Sequence, residues 1–215
     1  MPLINSIKNE YSVYGIQDLL ACGDFSTFNS MEELAKFYIS EIKKKIPDEI
    51  YILAGYSAGG TIAFEMARQL KLEKKLISKI IMFDAWGELP HDLLTSNRQK
   101  VVIDRQVDSL KLNLFPEFEQ KREQWFKTLE NRLNLLLNYV PHKLDIDILL
   151  FKAATLFGEY EILQKHNYKF SETNGWGKYS TTVETIMIPS HHEEMLKQDN
   201  VNLFYMAIKK YLANL

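Results

Sequence analysis

The sequence predicts an α/β fold, a mostly parallel sheet with helices on both faces and a helical segment inserted into it. Three observations predict this. Short apolar runs alternate with helical periods along most of the chain. A Gly-x-Ser-x-Gly turn joins one such run to a helix. Between about Gly87 and Leu144 the periodicity becomes helical throughout.

Tyr11-Ser12-Val13-Tyr14 is a short apolar run that ends at Gly15, and it predicts a strand. Ser30-Met31-Glu32-Glu33 has the form of a capping box, so a helix is expected to start there. Met31, Leu34, Ala35, Tyr38, Ile39, Ile42 and Ile46 keep its period, and Pro47-Asp48 stops it. Ile50-Tyr51-Ile52-Leu53-Ala54 predicts a buried strand. After the glycine-rich turn comes a helix with Ile62, Met66 and Leu70 on one face, then a strand over Lys79-Ile80-Ile81-Met82-Phe83. Val101, Val102, Val107, Leu110 and Leu114 carry one helical period of the insert, and Trp125, Phe126, Leu129, Leu133, Leu136 and Leu137 another. Strand signals resume at Ile146–Phe151 and at Thr185–Ile188. The chain closes on an amphipathic helix with Val201, Phe204, Tyr205, Ile208, Tyr211 and Leu212. A helical insert in an α/β sheet is natural material for a lid.

Composition limits the function classes. The 215 residues are 46% hydrophobic and 25% charged, which suits one domain with its own core. The 26 basic residues are balanced by 28 acidic ones, so no broad cationic field invites nucleic acid or anionic lipid. No stretch approaches the roughly 18 apolar residues of a membrane span, and the first residues lack the apolar core of a signal peptide. A lone cysteine, Cys22, excludes a disulfide framework within the chain and suggests a reducing compartment. The expectation is a cytoplasmic monomer that binds neither nucleic acid nor membrane.

Gly55-Tyr56-Ser57-Ala58-Gly59 carries the chemistry. Ser57 is expected at the tip of a sharp strand-to-helix turn, with glycines where side chains would collide with the neighbouring strand and helix. The turn lifts the hydroxyl above the strand ends, and the following helix N-terminus favours negative charge, so the Ala58 amide is a candidate oxyanion donor. The string alone is only moderately specific. The strand before it and the amphipathic helix after it are the context that gives it meaning.

A serine hydroxyl needs a positioned base, and the base needs an orienting acid. Asp84 ends the strand after the nucleophile helix and so lies on the same rim as Ser57. Asp145 and Asp147 compete, but they sit at the start of a strand, on the opposite rim. Of the five histidines, His91 and His142 flank the insert and His166 lies in a polar stretch. His191 and His192 come after the last strand, where a base is required.

These residues resemble the thioesterase domains of non-ribosomal peptide synthetases and polyketide synthases, within the α/β-hydrolase fold. The resemblance covers nearly the whole chain. It rests on Val13–Gln17, on Met31–Tyr38, on Gly55-Tyr56-Ser57-Ala58-Gly59-Gly60 through Ala67, on Ile80–Asp84, and on Trp176 leading to His192-Glu193-Glu194-Met195-Leu196. It implies a triad of Ser57, Asp84 and His192; Met195-Leu196 selects His192 over His191. It implies attack on a thioester held by the phosphopantetheine of an acyl or peptidyl carrier protein, followed by hydrolysis or cyclisation. It also implies a lid over about Gly87–Leu144 and no metal or cofactor bound by the domain itself.

Two departures from the family pattern are expected to matter. Pro2–Tyr11 resembles the end of the family's first helix, so the first strand and the loop that supplies a second oxyanion amide have no counterpart before it. Ser190-His191 stands where the family usually has a glycine two residues before its histidine. The competing readings are a non-catalytic carrier-docking module and a general carboxylesterase.

Overall fold

Four of the apolar runs form strands, and all pair in parallel. In this computed structural model, which describes residues 2–47, 50–88, 103–104, 107, 119–155 and 171–213, β1 (Tyr51–Tyr56), β2 (Ile77–Phe83), β3 (Asp147–Ala153) and β4 (Thr182–Ile188) lie in that order. Tyr56, Phe83, Phe151 and Ile186 align at one end of the sheet, and Lys79, Asp147 and Thr182 align at the other. Parallel pairing therefore gathers the C-terminal ends of all four strands on one rim.

Among the described residues, helices with both ends defined are α1 (Pro2–Ile7), α2 (Met31–Lys45), α3 (Ala58–Leu72), α4 (Arg122–Asn138) and α5 (Val201–Leu212). Successive strand residues point to opposite faces, so β2 splits its side chains between two cores. Ile81 and Phe83 join Leu149, Phe151, Leu3, Phe204, Ile208 and Leu212, which places α1 and α5 on that face. Met82 points the other way, toward Gly60 of α3. With both faces covered, Ile80–Phe83 of β2 and Ile148–Phe151 of β3 read as continuous apolar runs rather than alternating ones.

The chain divides into two compact units. The first, Met1–Gly15, Ala35–Glu88 and Pro141–Leu215, holds the sheet with α1, α3 and α5. The second is Ile16–Leu34 with Leu89–Val140. Its core is Ile103, Val107, Trp125, Leu129 and Leu133, with the Phe25 ring edge-on to Trp125 at 5.3 Å. Asn131 fixes the Phe28 backbone by accepting from its amide and donating to its carbonyl.

Three expectations need correction. Tyr11–Tyr14 is not a strand: Val13, Tyr14 and Ile16 are exposed, and among the described residues no ladder pairs with the segment. A four-residue apolar run has no strand conformation to hold without a neighbouring edge. The helical period of the insert stops at Asn138 rather than continuing to Leu144, because Tyr139 turns extended and Val140 precedes Pro141. The capping box at α2 is shifted on one side. The Glu33 amide donates to Ser30 Oγ as expected, but the Glu33 carboxylate accepts from the Asn29 amide instead of that of Ser30. Val101, Val102, Leu110, Leu114, His91, His166 and Asp48 lie outside the described residues.

Candidate active site

The rim formed by the strand C-termini is built one strand at a time. The Ser57 amide donates to the Phe83 carbonyl, the Asp84 amide to Phe151 and the Ala154 amide to Ile188, at 2.9, 2.7 and 2.9 Å. Each strand exit is thereby pinned to its neighbour. The three residues that the sequence singles out sit on three such exits, after β1, β2 and β4.

Ser57 occupies a backbone conformation that L-residues rarely adopt, with φ 54° and ψ −127°. The turn is held by close packing. A Cβ on Gly55 would lie 2.2 Å from the Gly59 backbone, and one on Gly60 would lie 2.3 Å from the Ala85 Cβ. Gly59, by contrast, has open space where its side chain would be. Crowding thus accounts for the first glycine of the motif and for Gly60, and not for the second glycine of the motif. Ala58 opens α3, and the first amides of a helix have no intrahelical acceptor.

Asp84 is 5% exposed and follows β2 in a left-handed conformation, φ 47°. Its Oδ2 accepts from His192 Nδ1 at 2.8 Å, and its Oδ1 from the Ala153 amide at 3.1 Å. Asn174 Nδ2 approaches the same Oδ1 at 3.4 Å. With the Nδ1 proton of His192 directed at Asp84, Nε2 is the accepting nitrogen of the ring, and Ser57 Oγ lies 3.0 Å from it. Ser57, His192 and Asp84 therefore form one hydrogen-bonded row. Lys152, next to Ala153, adds positive potential nearby. Burial lowers its ammonium pKa, while the Asp84 and Glu172 carboxylates act the other way.

His191 points elsewhere, its ring nitrogens meeting Glu193 and Glu194 at 2.9 and 3.2 Å. The ring contacts distinguish the two adjacent histidines: His192 meets Asp84 and Ser57, and His191 meets the acids of the next turn. Met195 is fully buried in the core with Ile188 and Phe204, and anchors the short 3₁₀ turn His192–Glu194. His142 is exposed. Asp145 and Asp147 lie at the opposite rim, where they accept from Thr181 and Thr182 hydroxyls.

Sequence reasoning missed two contributors. Tyr56, the variable residue before Ser57, stacks on the His192 ring at 4.8 Å and donates its hydroxyl to the His192 carbonyl at 2.9 Å. An aromatic at that position was its only signal. Asn174 lies in a polar stretch just before Trp176 and carries no periodic signal at all.

A family model described as the thioesterase domain matches residues 3–211. The polyketide synthase PksR of Bacillus subtilis is 33% identical over 78 residues, which is 36% of this chain and 3% of that protein. The thioesterase RedJ from the prodiginine pathway of Streptomyces coelicolor shares the fold at TM-score 0.66 and 16% identity, covering 97% of this chain and 79% of its own. A four-domain nonribosomal peptide synthetase, in a structure with AMP and glycine bound, matches at TM-score 0.67 and 22% identity. That match covers 85% of this chain and 16% of the synthetase, so the chain spans only a small part of such multidomain relatives.

Proposed function

The chain belongs to the thioesterase domain family, and on that premise we propose that it releases acyl or peptidyl chains from a carrier protein by serine catalysis. Ser57 Oγ attacks the thioester carbonyl while His192 Nε2 takes its proton. Asp84 holds the imidazole in the tautomer whose Nε2 accepts and stabilises the imidazolium that forms. The Ala58 amide donates to the oxyanion. Collapse of the tetrahedral intermediate expels the carrier's pantetheine thiol, which receives the proton from His192 and leaves an acyl group on Ser57. Water, or an amine or hydroxyl within the chain itself, then attacks the acyl-serine, again with His192 as base. The products are a free acid or a lactam or lactone.

One observation carries this reading: the Ser57–His192–Asp84 row, with links of 3.0 and 2.8 Å, set on the rim where α/β sheets present their ligands. The phosphopantetheine arm belongs to the carrier, so the domain supplies only side chains and backbone amides. The insert of about Gly87 to Leu144 corresponds to the lid that the family resemblance implies. The test is turnover of an acyl-phosphopantetheinyl carrier protein and of the matching acyl-pantetheine thioester. Release from both is expected. Hydrolysis of simple esters with neither thioester turned over would replace this reading with a general carboxylesterase.

A further inference from the structure

We propose that Asn174 is a positioning residue for Asp84, acting through its side-chain amide. This role presupposes that Ser57, His192 and Asp84 act together as proposed above. Among the described residues, four non-glycine positions have positive φ: Ser57, Lys74, Asp84 and Asn174. Lys74 lies just beyond the end of α3, where left-handed residues are ordinary. The other three meet at one place. Strained backbone persists where surrounding structure holds it, and it concentrates at functional sites.

Asn174 is 3% exposed. Its Nδ2 lies 3.4 Å from Asp84 Oδ1 and 3.2 Å from the Ala85 carbonyl. Both neighbours are acceptors, so only the amide nitrogen can face them, which fixes the orientation of the side chain. The consequence is a cost: Asn174 Oδ1 is buried without a hydrogen-bond partner among the described residues. A residue that serves only the turn would not need a buried amide with half its bonds unmade, because glycine fits positive φ better.

The turn that carries Asn174 is itself clamped to the Asp84 segment. Its carbonyl accepts from the Gly87 amide at 2.9 Å, and Trp176 Nε1 donates to the Ala85 carbonyl at 3.1 Å. The Trp176 ring is fully buried against Phe64, and a Cβ on Gly87 would meet it at 2.9 Å. Farther along, Lys178 and Tyr179 both hold Glu88. Asn174 is therefore presented to Asp84 on a rigid mount. Asp84 Oδ2 is left to His192 while Oδ1 is held by Ala153 and Asn174. Losing the Asn174 donor leaves Oδ1 held by the Ala153 amide alone, so the carboxylate turns more easily about its Cβ–Cγ bond and holds the His192 tautomer less firmly.

The test uses two variants that both tolerate left-handed backbone, Asn174→Gly and Asn174→Asp. With an acyl-pantetheine thioester, Asn174→Gly is expected to lower kcat about 10- to 100-fold, the range of a hydrogen bond to a charged group, with KM changed less than about threefold. In Asn174→Asp the new carboxyl can donate to Asp84 only while protonated, so its deficit is expected to grow as pH rises through the titration of that pair. The low-field proton resonance of His192 Nδ1–H, assigned by its loss in His192→Ala, is expected to broaden or disappear in Asn174→Gly. Wild-type kcat together with an unchanged resonance in Asn174→Gly would overturn the positioning role. The resonance reports the His192–Asp84 bond whether or not thioester is turned over. An inactive wild-type protein with the resonance still lost in Asn174→Gly would therefore count against the serine mechanism and not against this role.

Discussion

At one end of the sheet Asp84 is nearly sealed from water and accepts from His192, Ala153 and Asn174; at the other, Asp147 is half-buried and accepts from the Thr182 hydroxyl. Both are strand-end aspartates of the same parallel sheet. What separates them is the end of the sheet on which each lies. The C-terminal rim faces the start of α3, where unpaired backbone amides favour negative charge and can meet an oxyanion. At the N-terminal rim, Lys79 donates to the Tyr211 carbonyl in the last turn of α5, where a cation suits the helix end. In a parallel sheet every strand exit falls on one side, so residues from distant parts of the chain converge there without further design.

Three sets of substitutions press on that contrast, in order of expected effect. Ser57→Ala or His192→Ala removes the nucleophile or its base, and thioester turnover is expected to fall on the order of 10⁴-fold or more, with the circular dichroism spectrum unchanged. Asp84→Asn leaves the shape of the site and puts a hydrogen-bond donor opposite His192 Nδ1, favouring the wrong tautomer. A loss of about 10³- to 10⁴-fold in kcat is expected, whereas Asp147→Asn at the far rim is expected to leave kcat within about twofold. Equal losses from the two aspartate changes would dissolve the distinction between the rims. His191→Ala removes a ring whose nitrogens meet Glu193 and Glu194 of the adjoining turn, and activity within about threefold of wild type is expected. A loss from His191→Ala matching that from His192→Ala would reassign the base.

The middle of the sheet was legible because β2 and β3 are buried on both faces, so Ile80–Phe83 and Ile148–Phe151 read as unbroken apolar runs. The serine turn was legible because close packing writes itself into composition: Gly55 and Gly60 have no room for a Cβ. His192 was separable from His191 only through the family resemblance at Met195-Leu196; Met195 is buried and anchors the turn. The features that stayed hidden depend on partners that sequence order does not reveal. Tyr11–Tyr14 has strand composition and no ladder to join. Tyr56 becomes meaningful only once His192, far along the chain, stacks on it. Asn174 owes its role to a clamp between its turn and Gly87, which leaves no periodic trace.

The central claim is that Ser57 is an activated nucleophile, and a serine-directed fluorophosphonate tests it most directly. Incubation with the folded protein, then digestion and mass analysis, is expected to yield one adduct, on the peptide carrying Ser57, and none in His192→Ala over the same time. A folded wild-type protein that leaves Ser57 unmodified would contradict the account.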